Sequence, residues 1–325
     1  MPAETSWSVG RHENLSAMKF FAIAGTSLVA LLPCAAGTKV IEGTTLDVAI
    51  APGKNYDKAE FRLWFPAEAG LLRGTVVAVP GSGADGRPKA DDAFWRVFAA
   101  KQRFALIACH FTDSPHDQAF IEYYVNASQG SGQALVDALT LLAGQAHHPE
   151  LATAPLLLWG ESAGGEFNYE FAAWRPERVI AFILNKGGIY YTALVPPAAR
   201  AVPALLFVGG ADLESRKAII AGLFAVNRRA GALWAIVEEP GVGHACERSR
   251  DLSILFFEEV LPLRLGQSGA GLTPLVEKSG FWGNTKTKTY RPASRDGVPD
   301  PLSAWLPTER VARAWQAAVA DRLIK

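Results

Sequence analysis

LLLWGESAGGEFNYEF, Leu156 to Phe171, is the stretch whose reading decides the fold. Its first four residues are bulky and apolar. A run that short, with no polar alternation, suits a strand covered on both faces. Its last residues, Phe167 onward, suit a helix running to Trp174. Between them lies Gly160-Glu161-Ser162-Ala163-Gly164, which fits the pattern G-x-S-x-G. Such a turn reverses the chain from strand to helix within a few residues and holds the serine in a strained backbone. Side chains at 160 and 164 would meet the neighbouring strand and helix, so both are glycine. The turn also lifts the hydroxyl to the N-terminal end of the next helix, where the backbone N–H of Ala163 faces outward.

Working outward, the same alternation recurs. Apolar runs at Gly74–Val79, Phe104–Cys109, Pro155–Trp159, Val179–Leu184, Ala204–Val208 and Leu233–Val237 predict buried strands. Helical patterns predict Asp91–Lys101, Ser131–Ala143, Ser215–Phe224 and Arg248–Val260 between or after them, with Asp91 or Asp92 capping the first. Thr44–Ile50 and Lys58–Phe65 precede the series. In the latter, Phe61, Leu63 and Phe65 share one face, and Trp64 breaks the alternation. The expectation is an α/β fold: a mostly parallel, twisted sheet of about eight strands, its first pair antiparallel, with helices on both faces.

Ligands of such sheets bind beyond the carboxyl ends of the strands. A serine there needs a base to become a nucleophile. Of six histidines, His147 and His148 fall at the wrong end of the sheet. His110 and His116 follow a strand as rim residues, and His12 lies near the start of the chain. His244, in a Gly-rich loop after the last strand, is the best-placed base. Asp212 closely follows the Ala204–Val208 strand and is the acid to orient it, with Glu214 as the fallback and helix capping as the competing role for Asp212. The order Ser162, Asp212, His244 is the chain order of a Ser-Asp-His triad on this architecture. The stretch "PGSGADGR" after Gly74–Val79 places the N–H of Ser82 as a second oxyanion donor beside Ala163. No Gly-Lys-Ser/Thr follows it, so a phosphate-binding loop is a poor reading.

On "GESAGG" (160–165), "PGSGADGR" (80–87), "GGAD" (209–212) and "GH" (243–244), the chain from Thr44 to Leu265 resembles the α/β-hydrolases. Within them it is similar to secreted polyhydroxybutyrate-depolymerase and feruloyl-esterase-like serine esterases. The resemblance implies carboxylic-ester hydrolysis through an acyl-enzyme, with no cofactor or metal and a small-molecule or polymer-linked ester as partner. It leaves open which ester: feruloyl, acetyl-xylan, polyester or simple alkyl. The oxyanion loop departs from the His-Gly of many relatives, no His-Gly-Gly-Gly occurs, and serine at 162 excludes the aspartate-nucleophile branches. Two alternatives stand beside it: a non-catalytic binding protein on the same fold, and a serine peptidase. About twenty residues follow Leu184 before the next strand, too few for a mobile lid.

The ends of the chain divide the 325 residues further. Lys19, an apolar run to Leu32 and small residues to Ala36 predict a signal peptide over residues 1–36, with residues 1–17 as possible upstream sequence. The protein is then secreted or periplasmic, or a lipoprotein at Cys34, where Pro33 is a poor fit. The run is too short for a stable membrane span. The catalytic domain is expected over 37–266. Residues 267–325 form a Gly-, Pro- and Thr-rich extension whose tryptophans predict packing on that domain, or a cover over the site. Acidic and basic residues balance to zero, which disfavours a nucleic-acid partner. Cys109 and Cys246 are expected as free thiols, with a disulfide tying the histidine loop as the alternative.

Overall fold

Eleven strands and seven α-helices follow one another in the computed structural model, which describes residues 41–118, 121–266, 271–293 and 300–321. The proposed signal peptide and Cys34 lie outside the described residues. The strands are β1 (Gly43–Ile50), β2 (Lys58–Pro66), β3 (Gly74–Val79), β4 (Phe104–Thr112), β5 (Leu156–Glu161), β6 (Val179–Asn185), β7 (Ala204–Gly209), β8 (Trp234–Glu239), β9 (Phe281–Asn284), β10 (Thr289–Pro292) and β11 (Ala304–Leu306). The helices are α1 (Ala93–Gln102), α2 (Ser131–Ala146), α3 (Ala163–Trp174), α4 (Pro197–Arg200), α5 (Glu214–Arg229), α6 (Glu247–Arg264) and α7 (Glu309–Val319).

The first eight strands make one sheet in the order β1-β2-β4-β3-β5-β6-β7-β8. β1, β2 and β4 pair antiparallel, and every pairing from β4 through β3 to β8 is parallel. This is the α/β-hydrolase fold that the resemblance implied. The apolar runs become strands because helices cover both faces: all residues of β3, β6 and β7 are buried. Trp64, which breaks the alternation of β2, is also fully buried, on the face opposite Phe61 and Leu63. There the Arg96 guanidinium of α1 lies 5.0 Å from its ring centre. Asp92 caps α1, its carboxylate accepting from the Phe94 amide at 2.8 Å.

The helix after β5 is longer than its sequence pattern. It starts at Ala163 rather than Phe167, because the small residues 163–165 lie flat against β3 and β6 and carry no apolar period of their own.

A second sheet, order β10-β9-β11, was not foreseen in the sequence. Its strands are three or four residues long, too short for a period to register. It is held by tryptophans that donate to oxygen acceptors: Trp282 Nε1 to Glu277 at 3.2 Å and Trp305 Nε1 to the Glu277 carbonyl at 3.0 Å. Arg228 of α5 donates to the Ser303 carbonyl at 2.7 Å and to Glu277 at 2.8 Å. Trp315 of α7, fully buried, donates to the Ile236 carbonyl of β8 at 2.8 Å.

Candidate active site

β5 delivers Ser162 to the turn with φ 53° and ψ −125°, a backbone that L-residues rarely adopt. The turn is held from several sides. The Ser162 amide donates to the Asn185 carbonyl of β6 at 2.7 Å, and the Ser162 carbonyl accepts from Gly165 and Glu166 at 2.9 and 3.1 Å. A Cβ at Gly164 would strike the Val79 and Pro80 carbonyls, and one at Gly160 would strike the Gly164 backbone. Both positions are therefore confined to glycine by close approach rather than by φ. Ala163 is the first residue of α3, so its N–H has no acceptor one turn back within the helix.

Ser82 follows β3, in the loop facing Ser162. A Cβ on its neighbour Gly81 would stand 3.5 Å from that of Ser162. The Gly83 amide donates to Tyr124 Oη at 3.3 Å, which ties the loop to the segment that follows β4.

On the other side, Asp212 and His244 leave the ends of β7 and β8. His244 Nδ1 and Asp212 Oδ2 are 2.9 Å apart. The Asp212 side chain is only 4% exposed. Its Oδ1 accepts from the Leu213 amide at 2.8 Å and from Arg216 at 2.6 Å. Burial raises its carboxyl, but the bonds from His244, Leu213 and Arg216 outweigh that, and it ends below the ordinary carboxylate range. It is thus an anion over a wide pH range. Glu214, the fallback acid, is 89% exposed and paired with Lys217, so it has no part in this arrangement. His244 and Ser162 line the same cavity, about 650 Å³, together with Gly81, Ser82 and Trp159.

The other candidates lie elsewhere. His110 bonds Glu60 at 3.2 Å, and His116 stands 3.7 Å from Asp113. Trp282 and Trp305 of the C-terminal extension are absent from the lining of this cavity. The alternative of an aromatic cover from the C-terminal extension is therefore not realised among the described residues. No group of three or more metal-binding side chains occurs among them either.

Sequence reading missed two features beneath the site. The first is a buried ion pair: Lys186, at the end of β6 with φ 53°, bonds Glu239 at the end of β8. Both side chains are removed from water. The Glu239 carbonyl also accepts from Gly210 and Val242 at 2.9 and 3.2 Å, so the backbone of residue 239 anchors the segments that carry Asp212 and His244. Nothing local marks it, since its members are 53 residues apart.

The second is Glu166, one turn after Ser162. Its Oε1 accepts from Gly188 and Ile189 at 2.6 and 3.0 Å, while Oε2 is buried without a partner. Burial pushes this carboxyl up to about 7, against the pull of those two amides. Because its folded value lies above its ordinary 4.5, its contribution to stability is full below that value. The contribution is lost as pH climbs through about 7. Glu166→Gln should flatten that part of the stability curve, a difference on the order of 3 kcal/mol at most. Denaturation midpoints of the two proteins across this range check it, and parallel curves would rule it out.

Cys109 and Cys246 are both free. Burial raises both thiols, Cys246 to about 12. Neither should react quickly with thiol reagents in the native protein, and both should react once it is unfolded without reductant. Mass spectrometry showing a Cys109–Cys246 cross-link would contradict this.

Sheet order and the serine turn together define an α/β-hydrolase fold with a nucleophile-elbow geometry. Among solved structures the chain is similar to a poly(3-hydroxybutyrate) depolymerase from Bordetella parapertussis, at 19% identity and TM-score 0.48, covering 67% of this chain and 90% of that one. It is also similar to an esterase from Pyrobaculum calidifontis, at 15% identity and TM-score 0.48, covering 68% and 85%. No family model matches the chain, and no curated protein does.

Proposed function

We propose that this chain is a serine hydrolase that cleaves carboxylic esters, with Ser162, His244 and Asp212 as its triad. The observation that carries the reading is the Asp212–His244 hydrogen bond at 2.9 Å, on a cavity whose wall also holds Ser162 in a strained turn. A buried, ionised Asp212 fixes the imidazole with its proton on Nδ1 and leaves Nε2 as the base. Nε2 takes the Ser162 proton as Oγ attacks the ester carbonyl. The carbonyl electron pair moves onto oxygen, where the N–H groups of Ala163 and Ser82 stabilise the charge. Collapse of that adduct breaks the C–O bond to the alcohol, which leaves with the proton from His244. Water then repeats the sequence on the acyl-enzyme, releasing the acid and restoring Ser162.

The substrate is a small-molecule or polymer-linked ester. With only α4 in the segment between β6 and β7, the cavity has no lid from that connection, which favours dissolved esters over a lipid interface. We further read residues 18–36 as the end of an export signal, so that the working protein is secreted or periplasmic. The test of the activity is a panel of feruloyl, acetyl-xylan, polyester and short alkyl esters, with active-site labelling by a fluorophosphonate. Labelling of Ser162 and turnover of at least one ester class are expected. No labelling and no turnover would overturn the reading. N-terminal sequencing of exported protein should begin near Gly37, and a chain starting at a lipid-modified Cys34 would replace that expectation.

A further inference from the structure

We propose that the cavity beside Ser162 selects esters carrying a second group that is anionic, a carboxylate, and that Arg250 is the residue that recognises it. The proposal rests on the esterase reading and narrows its substrate class.

Among the described residues, the charged side chains of the cavity are three cations, Lys89, Arg216 and Arg250, against two carboxylates, Asp92 and Glu161. What matters is which of them are already spent. Lys89 pairs with Glu161 at 3.1 Å. Arg216 is bound to Asp212 at 2.6 Å, behind the histidine. Asp92 commits one oxygen to the cap of α1. Its other oxygen forms an ion pair with the Arg250 Nη1 at 3.6 Å, too long for a hydrogen bond. Arg250, whose side chain is 40% exposed, is thus the cation whose hydrogen-bond donors are least committed.

Its unspent donor is also fixed in place. The guanidinium stacks on Phe94, 4.1 Å from the ring centre, and its Nε is buried without a partner. A second donor is left over on the same cavity: Trp159 Nε1, in a side chain almost wholly buried, is unpartnered too. Both orphaned side-chain groups on this cavity are N–H donors, and neither is an acceptor. A carboxylate entering the cavity meets the open Nη end of the Arg250 fork, and a planar guanidinium and an anionic acceptor make the strongest of ordinary hydrogen bonds. Trp95 and Trp159, with ring centres 5.1 Å apart, line the same cavity and offer an apolar surface to the carbon chain of the substrate.

The experiment compares kcat/KM for the ethyl half-esters of glutaric and adipic acid with that for ethyl pentanoate and ethyl hexanoate, their neutral counterparts of equal length. The wild-type protein should favour the half-esters about ten- to hundredfold at low salt, the effect of one charge-assisted contact. That preference should shrink as ionic strength rises. Arg250→Gln should cut the ratio at least about tenfold, because the half-esters lose far more than the neutral esters, and Arg250→Lys should restore part of it. A merely structural role for Arg250 would lower both series together and leave the ratio unmoved. Hydrolysis of the neutral esters with no preference for half-esters, or a preference indifferent to salt or to Arg250→Gln, overturns this proposal and leaves the esterase reading standing. No hydrolysis of any ester, with Ser162 unlabelled, overturns both.

Discussion

Ser162→Ala should lower ester turnover by about 10⁴- to 10⁶-fold and leave the fold untouched. The two halves of that expectation come from different parts of the structure. The loss follows from chemistry: no other hydroxyl sits in the strained turn beside His244. The intact fold follows from geometry. Alanine keeps the Cβ that Ser162 already carries at φ 53°, and the bonds that hold the turn are made by the backbone of residue 162, not by its hydroxyl. The melting temperature should therefore be unchanged or slightly higher. Adding His244→Ala to the single variant should cost little more, because residues that act as a unit are not additive. Near-wild-type turnover in Ser162→Ala, with unchanged circular dichroism, would remove Ser162 as nucleophile. A further large drop in the double variant would show that His244 acts by a route that does not pass through Ser162.

The parts of this molecule that were legible in its sequence are those where one residue type answers one local demand. The buried strands β3, β5, β6 and β7 could be read because a strand covered on both faces admits little but apolar side chains. The glycines at 160 and 164 could be read because the backbone approaches there exclude a side chain. Asp212 and His244 could be placed because each closely follows a strand at the end of the sheet where Ser162 also emerges.

What stayed hidden depends on partners far apart in the chain. The C-terminal sheet is made of strands too short to show alternation, and its stability comes from Trp315 and Arg228 reaching other elements. The start of α3 is obscured because Gly164 and Gly165 fit close backbone approaches beneath the turn and have low helix propensity. Arg250 carries no local signal in the sequence, since the ring it stacks on, Phe94, lies more than a hundred residues earlier.

The buried pair Lys186–Glu239 should show a large effect of a different kind. Neither charge can reach water: Lys186 is 0% exposed and Glu239 is 6%. Lys186→Met leaves the Glu239 carboxylate without its counter-ion in that setting, and the loss should be about 3–5 kcal/mol of folding stability. Desolvation of both groups offsets most of what the intact pair gains, so the pair itself adds little net stability. Replacing both members, in Lys186→Met/Glu239→Leu, should therefore recover most of the loss. The Glu239 carbonyl would still hold Gly210 and Val242, so the segments bearing Asp212 and His244 keep their backbone anchors in the double variant. Chemical denaturation of the wild type, both single variants and the double variant closes the cycle. The expected result is two strongly destabilised single variants and a double variant within about 1–2 kcal/mol of wild type. Single variants near wild-type stability would mean that water reaches the pair. A double variant that loses the sum of the two single effects would mean that Lys186 and Glu239 are supported by different neighbours and do not depend on each other.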